Sequence, residues 1–435
     1  MGTSDVTLYA IFYDLSIDTD KDGLPDAWEI YGADVNGDGI VEVPLNLMGA
    51  NPNVPDIYVE IDWMAPGGDK TTYKPTEASM KAVHDAFKAH GFRLHIDLGL
   101  ESTDYVTGIK WKDYPGGSGA NSFAYSPANQ YPDNNSSIWT AIINENFTPA
   151  RRKIFHHSAF VAYLGGYGGW GNLWGQHTLI LKQIEWADSM CFMHELGHNL
   201  GLHHGGQDSI NYKPNYISIM NYSLSYNNIL GLNYSEYVLP DLNESSLSEP
   251  AGVDPAGLCA GKNYESFFIR NGISYKIPNI SKTAVDWNGN GKATDTGLRM
   301  DINGDDAMGV LKSFTDWDKL DLKVGSIGTV GAGRIEDDVY PTTYFDQFDM
   351  PEEVTIDELI DLGFYSPEDT PSDILPGDAN CDGQVNIEDI LLVRDVIFGM
   401  RELTPQGRRN LGLGPDDAVT IDSILYIRDI IFGVK

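Results

Sequence analysis

A histidine pattern near the middle of the chain constrains the fold more than any other feature. Residues 191–204 read CFMHELGHNLGLHH, with His194 and His198 four positions apart. On a helix, side chains at this spacing project from one face, so both imidazoles can bind one Zn²⁺. His204 can face the same ion only if the helix ends first, and Gly201 supplies the conformational freedom for that turn. The pattern therefore predicts a helix, a turn at Gly201 and a three-histidine zinc site.

Glu195 directly follows the first predicted zinc ligand. At this position a carboxylate can reach a metal-bound water and act as its general base. Two alternatives stay open: His203 could replace His204 as third ligand, and the zinc could hold a shape without catalysis. The spacing favours His204 and a hydrolytic site.

A second motif, Ser218-Ile-Met220-Asn-Tyr222, follows sixteen residues after His204. The extended histidine motif and this downstream methionine together resemble the metzincin clan of zinc metalloproteases, over about residues 60–250. The wider wording is similar to uncharacterised secreted prokaryotic members, although Gly205 stands where well-known families often have an acid.

The resemblance implies roles for individual residues and a fold. Met220 would form the turn beneath the metal, and Tyr222 would ligate zinc or stabilise the oxyanion. The implied zinc ligands are His194, His198 and His204, with Glu195 as general base. The implied fold is an α/β (α+β) zincin-like catalytic domain with a mixed twisted sheet and an active-site helix. The implied activity is that of a metalloendopeptidase.

Short Asp/Asn/Gly runs form the next feature. The run 18–29, DTDKDGLPDAWE, has carboxylates at positions 1, 3, 5, 9 and 12 and Gly at 6, as in an EF-hand calcium loop. Its wording also resembles thrombospondin type 3 calcium repeats. Such runs also favour turns without any metal, which is the alternative. The predicted ligands of four loops are Asp18, Asp20, Asp22, Asp26 and Glu29; Asp34, Asn36 and Asp38; Asp286, Asn288 and Asn290; and Asp301, Asn303 and Asp305.

The C-terminal part contains an internal repeat at an offset of 34 residues. Residues 385–399 match 419–433, and the first copy follows another complete calcium loop. This duplicated loop–helix unit resembles a dockerin, a small all-α EF-hand-like domain that binds a cohesin on a partner. The loop ligands predicted here are Asp378, Asn380, Asp382, Gln384, Asn386 and Asp389. The resemblance places cohesin contacts at Ile387, Glu388, Ile421 and Asp422.

The second copy has Gly412, Gly414 and Ser423 at the ligand positions, so its calcium stays open. A calcium-stabilised module without a partner is the alternative to a dockerin. We expect four segments in all: a calcium-loop segment at 1–50, the catalytic domain at 51–250, an extension and linker at 251–370, and the dockerin-like module at 371–435.

Hydrophobic periodicity predicts the secondary structure around the motif. The expected strands are 57–63, 93–98 and 178–184, the last as the edge strand that pairs with a peptide substrate. The expected helices are 76–90, 138–147, 151–164 and one from Asp188, with loops at 113–135 and 165–175. His156 and His157 would be packed helical positions. Cys191 is expected to be a core thiol or to form a disulfide with Cys259.

The net charge excludes one class of partner. Lys and Arg number 29 against 63 Asp and Glu, a formal charge of −34, which repels nucleic-acid phosphates. No apolar run is long enough to span a membrane. The first residues lack a leader pattern, so either a leader has been removed or the protein stays inside the cell. Calcium loops favour the calcium-rich exterior, so we expect a secreted or cell-surface protein.

These observations give two hypotheses. The first is a secreted endopeptidase with one catalytic Zn²⁺ and two or more structural Ca²⁺, anchored through a cohesin-type partner. The second is a non-catalytic surface or adhesion scaffold in which the metals only hold the shape.

Overall fold

A computed structural model describes most of the chain. The described residues are 14–67, 72–124, 136–162, 164, 166–182, 185–225, 230–329, 353–362, 364, 377, 379, 385–398, 400–401, 403, 411 and 419–432. They belong to two compact units, Met1–Phe364 and Tyr365–Lys435. Within these ranges, no helix has the length and apolar character needed to cross a membrane.

The first unit has a mixed α/β architecture around one mixed sheet. A short helix α1 (Asp26–Tyr31) precedes strand β1 (Asp56–Met64), helix α2 (Glu77–Ala89) and strand β2 (Arg93–Asp97). Strands β1 and β2 are parallel, so the predicted strand–helix–strand crossover is confirmed. Thr76 caps α2 by accepting a hydrogen bond from the Ser79 amide, as its sequence position indicates.

The sheet continues with four more strands and two helices. They are β3 (Ser122–Phe123), α3 (Ser136–Asn146), β4 (Phe155–Val161), β5 (Gly169–Gly171), β6 (His177–Leu181) and α4 (Glu185–Asn199). The strand order is β2-β1-β4-β6-β5, with β3 beside the end of β1. All pairings are parallel except that of β5 with β6, so the predicted mixed sheet is confirmed.

Two predictions in this region are wrong. Residues 151–164 are not a helix but a short 3-10 turn, Arg151–Lys153, followed by β4. All seven residues of β4 are buried, His156 and His157 included, because a central parallel strand is covered on both faces and lacks alternation. The strand predicted at 178–184 is β6, which lies between β4 and β5 and is therefore interior.

Successive side chains of β1 point to opposite faces of the sheet, and each face packs against its own hydrophobic core. Ile57, Val59 and Ile61 face a core built with α2 and α4. Tyr58 faces the other core, which includes α3 and apolar side chains from the calcium-loop segment, such as Trp28. The N-terminal segment is therefore an integral part of the first unit.

The remainder of the first unit consists of short hairpin-like pairs around a third core. After α5 (Tyr222–Ser225) come β7 (Leu242–Asn243), β8 (Leu247–Ser248), β9 (Ser266–Arg270), β10 (Ile273–Ile277), β11 (Thr296–Leu298) and β12 (Val310–Leu311). The antiparallel pairs are β9–β10, β8–β11 and β7–β12. A helix α6 (Ile356–Asp361) follows, with a capping box formed by Thr355 and Glu358.

The described part of the second unit contains two helices that pack on each other. They are α7 (Ile387–Ile397) and α8 (Ile421–Ile431), and their shared core includes Val393 and Ile427. Asn386 and Asp389 form a capping box at the start of α7. The predicted ligands Asp378, Asn380, Asp382 and Gln384, and the side chain of Asp422, lie outside the described residues.

Candidate metal centre

Helix α4 ends where the histidine motif requires a turn. The amide of Leu202 donates to the Gly197 carbonyl, and Gly201 adopts φ +89°. A Cβ on Gly201 would lie 2.5 Å from the Trp174 ring nitrogen, so only glycine fits here. The turn brings His204 back towards the helix face that presents His194.

Three imidazole nitrogens converge at this turn. The Nε2 atom of His198 lies 3.2 Å from that of His194 and 3.1 Å from that of His204. Ligands of a tetrahedral Zn²⁺ at about 2.0–2.1 Å are about 3.3 Å apart, so the spacing fits such an ion. The three side chains form a group that could bind a metal.

Backbone carbonyls orient two of the rings. The Nδ1 atom of His194 is 2.9 Å from the Ile219 carbonyl, and that of His198 is 2.7 Å from the Leu202 carbonyl. A carbonyl can only accept, so each Nδ1 carries the proton and each Nε2 lone pair points inward.

Burial keeps the three rings neutral. It lowers the pKa of His194 to about 4 and the pKa of His198 and His204 well below the ordinary value. Neutral imidazole is the form that binds a metal, so the site is prepared for a cation near pH 7. His203 is only half-buried, with its ring against Trp174, and it does not belong to the group.

Met220 lies in a fully buried turn that packs against α4. The Ile219 amide donates to the Asn233 carbonyl, and the Ser218 hydroxyl donates to Asp316. Gly197 of α4 faces the turn, and a Cβ there would lie 2.5 Å from the Met220 sulfur. The glycine inside the histidine motif therefore lets the methionine approach the helix.

Glu195 lies against the glycine strand β5. Added Cβ atoms would lie 2.3 Å from its Oε1 at Gly169 and 3.1 Å from its Oε2 at Gly171. Its Oε2 is buried without a hydrogen-bond partner. Burial and the nearby charge of Glu353 raise the pKa of Glu195 well above its usual range. A carboxylate in this position needs a cation or a proton nearby.

Tyr222 and Glu353 complete the group. The Tyr222 ring centroid lies 4.5 Å from that of His204, and its hydroxyl donates to Glu353. Oε1 of Glu353 lies 3.5 Å from Nε2 of His198 and 3.8 Å from Nε2 of His204. Sequence reasoning missed Glu353, because it lies far along the chain with no spacing that relates it to the motif.

The first calcium loop also gathers carboxylates. Ligand atoms of Asp18, Asp20 and Asp22 lie within 4.8 Å of one another, and so do those of Asp22, Glu29 and Asp56. Glu29 is 1% exposed, and neither of its carboxylate oxygens has a hydrogen-bond partner. These oxygens can hold a hard cation such as Ca²⁺.

Two residues of this loop differ from the linear pattern. Asp26 accepts hydrogen bonds from the Thr19 amide and hydroxyl and is not part of either group. Asp56, the first residue of β1, joins Glu29 instead. No local pattern indicates Asp56 as a ligand, because β1 starts 27 residues after Glu29.

The other three predicted calcium loops of the first unit form turns in which Asp side chains accept hydrogen bonds from backbone amides. Asp34 and Asp38 gather with Glu42 into a group that could hold a metal, while the Asn36 amide donates to Asp38. In the third and fourth loops, Asp286 and Asp301 accept backbone amides of their own turns, and buried Glu249 and Glu244 accept amides from those loops. Of the remaining predicted ligands, Asn288, Asn290 and Asp305 are exposed and Asn303 is buried.

Neither of the two described cysteines belongs to a disulfide. Cys191 and Cys259 are both buried and do not form a disulfide, so the core-thiol interpretation is confirmed and the pairing is wrong. Cys191 lines the pocket beside His194 and Glu195.

Comparisons with known proteins identify no relative: no protein-family model matches the chain, and no curated protein matches its sequence.

Proposed function

We propose that the chain is a secreted zinc-dependent endopeptidase of metzincin type. The observation that supports this most is the convergence of three buried, neutral imidazoles beside a buried carboxylate, Glu195. When bound, zinc would supply a Lewis acid and a water of lowered pKa. His194, His198 and His204 would hold it.

Two side chains, Glu195 and Tyr222, would act on the scissile peptide bond. Glu195 would accept the proton of the attacking water at its carboxylate and deliver it to the leaving amine. The Tyr222 hydroxyl would donate a hydrogen bond to the oxyanion, because its ring packs against His204 and His194. Strand β5, the last described strand on its side of the sheet, would pair with an extended peptide through its backbone.

The test is Glu195→Gln. Loss of a positioned general base costs about 10²–10⁴-fold in rate, so we expect that loss in the cleavage of an unspecific protein substrate. Zinc content, measured by mass spectrometry, should stay at one per chain. Exposed Glu77 gives a matched control, and Glu77→Gln should cleave as the wild type does. Retained cleavage in Glu195→Gln contradicts the proposal and supports a shape-holding metal.

The second unit is proposed to dock the enzyme onto a cohesin-type partner. Repeat-equivalent apolar side chains are exposed on both helices: Ile387 and Ile421 at 61% each, and Phe398 and Phe432 at 70% and 74%. Exposed apolar positions that recur in both copies indicate an interaction surface rather than a core.

This docking is tested with paired substitutions. Ile387→Ser combined with Ile421→Ser should weaken calcium-dependent binding to a panel of immobilised cohesin modules by more than tenfold. Exposed Arg401 lies outside the repeats, and Arg401→Ser should leave binding unchanged. Absence of binding to any cohesin by the wild-type chain would favour a module that only stabilises the fold.

A further inference from the structure

We propose that Glu353 is a fourth ligand of the metal and that the segment Glu353–Leu362 closes the active site, so that the enzyme as folded is latent. The inference rests on the proposed peptidase function. It adds a metal ligand and an internal inhibitor, neither of which the histidine motif indicates.

The position of the Glu353 carboxylate supports ligation. Its ligand atom lies within 4.8 Å of those of all three histidines, and its side chain is 5% exposed. Oε1, the atom nearest His198 and His204, is buried without a hydrogen-bond partner. An unpaired buried carboxylate oxygen costs several kcal/mol in general, and a cation among the three rings removes that cost.

Such a ligand would compete with catalysis. A catalytic zinc keeps one position open for water, whereas a zinc with four protein ligands is closed. Glu353 would take the fourth position. It also engages the Tyr222 hydroxyl, which then cannot donate to an oxyanion.

The residues after Glu353 cover the cleft and are anchored on both sides. Val354 lines the pocket that also contains Gly168, Gly169 and Glu195. The Ile356 amide donates to the Gly166 carbonyl, close to the start of β5 where the substrate backbone is expected. The segment therefore occupies the rim on which a peptide would lie.

Further contacts hold the far end of the segment. Leu359 of α6 is 1% exposed, and the Ser274 amide donates to the Leu362 carbonyl. The ring of Phe364, two residues later, stacks on Tyr212 at 5.2 Å between centroids. These contacts anchor the segment that carries Glu353 within the first unit and hold the carboxylate beside the three histidines.

The experiment compares Glu353→Ala with the wild type in the full chain. Cobalt replaces zinc as a spectroscopic probe, and visible absorption reports coordination, since loss of one protein ligand changes the cobalt bands. Zinc affinity is measured by chelator competition. We expect altered cobalt bands, about tenfold weaker zinc binding and at least tenfold faster protein cleavage at saturating zinc.

Two further variants keep the result interpretable. Asp357→Ala removes an exposed carboxylate from the same segment and should change none of the three readouts. Glu353→Gln retains the shape of the side chain and should follow Glu353→Ala, which covers the case in which the alanine variant fails to fold, as judged by circular dichroism.

The outcomes separate this inference from the proposed function. Cobalt bands and zinc affinity that are the same with and without Glu353 overturn the inference. Changed bands with a measurable cleavage rate that is the same with and without Glu353 overturn the latency, because Glu353 would then not inhibit. Changed bands and affinity with no cleavage by any variant support the fourth ligand but refute the peptidase. The Glu195→Gln test should also be repeated in Glu353→Ala, where the basal rate is highest.

Discussion

Two glycines determine how close strand β5 can lie to Glu195. Gly169 and Gly171 have no side chain between the strand and the carboxylate, and an added Cβ would overlap Glu195 at either position. Neither glycine has a positive φ, so alanine can adopt the backbone conformation at both positions. The only obstacle to alanine is the overlap of its Cβ with Glu195. The position of Glu195, the proposed general base, therefore depends on two residues that take no part in the proposed reaction.

Gly169→Ala is expected to reduce kcat about 10–100-fold, because the Cβ would displace the Glu195 carboxylate and misplacement by about 1 Å costs rate on this scale. Zinc affinity should stay within twofold, since the three atoms nearest to the added Cβ all belong to Glu195 and none to a histidine. Steady-state kinetics measure kcat, and chelator competition measures the zinc affinity. Gly309→Ala is the control, with its nearest neighbour at 3.8 Å. An unchanged kcat would show that Glu195 does not need this space.

At this scale, local spacing predicted which residues meet, but it could not predict their distant partners. His194, His198 and His204 lie within eleven residues, so helix geometry and one glycine turn were enough to bring them together. Glu353 and Asp56 join their groups from remote segments. Their arrival depends on the packing of the whole unit, for which a single sequence contains no local signal.

At the scale of elements, the first calcium loop links the N-terminal segment to the central sheet. Glu29 comes from α1 and Asp56 from β1, and Asp56 also accepts a hydrogen bond from Arg93 and contacts His95. A cation bound by both carboxylates would tie the loop to β1, a strand of the sheet whose side chains share a core with α4.

Asp56→Asn should therefore reduce the stabilisation that calcium provides. A bound ligand stabilises by RT ln(1 + [L]/Kd), so a tenfold loss in calcium affinity lowers the gain by about 1.4 kcal/mol. The quantity to compare is the rise in Tm between chelator and saturating calcium, because the other contacts of Asp56 affect both conditions. Asp113→Asn, on an exposed turn, should leave the rise intact. An equal rise in both variants would place calcium elsewhere.

The Met220 turn depends on one buried carboxylate. Asp316 accepts hydrogen bonds from Tyr216, Ser218 and the Ser235 amide, at 2.7–2.8 Å. Burial raises the pKa of Asp316 from 3.8 to about 6 in spite of these bonds. The folded chain thus binds this proton more tightly than the unfolded chain does.

A pH dependence with a definite sign follows for this carboxyl. Its protonated form contributes stability that is fully present below about pH 4 and is lost as pH rises to about 6, by on the order of 3 kcal/mol at about 1.4 kcal/mol per unit. Asp316→Asn cannot titrate, so its unfolding free energy should lack this fall. Urea denaturation at intervals from pH 4 to 7 measures the difference between the two proteins. Parallel pH profiles would show that Asp316 titrates as in the unfolded chain.

The elements that sequence patterns predicted well are those with one buried face. Helix α2 has a clear 3.6-residue period and a capping threonine, and it starts and ends within a residue of its expected limits. Strand β4 is buried on both faces, so its sequence FHHSAFV shows no alternation, and the helix predicted over 151–164 is wrong for this reason. An interior strand can be identified only from the strands that flank it in the sheet, and a single sequence does not show which strands those are.

At the scale of the whole molecule, the chain consists of two units with separate cores. The candidate metal centre, Glu353 and the first predicted calcium loop all belong to the first unit, and both repeat helices belong to the second. A division of this kind separates the proposed catalytic and docking functions.

A chain that ends at Phe364 is expected to bind zinc and to cleave protein within twofold of the full chain. It should lose one of two transitions in calorimetry, because the second core is absent. The fragment Tyr365–Lys435 should show that missing transition alone. Loss of zinc binding on truncation would mean that the two units are coupled in stability.

The inhibitor proposed here is encoded in the chain that it inhibits. A tethered group has an effective concentration in the millimolar range, set by the chain rather than by the amount of protein made. Latency would therefore survive any dilution of the protein. If the chain were cut on both sides of Glu353–Leu362, the same residues would become a free peptide at the bulk concentration. Activation by that route would be permanent, and each molecule would switch on once, independently of its neighbours.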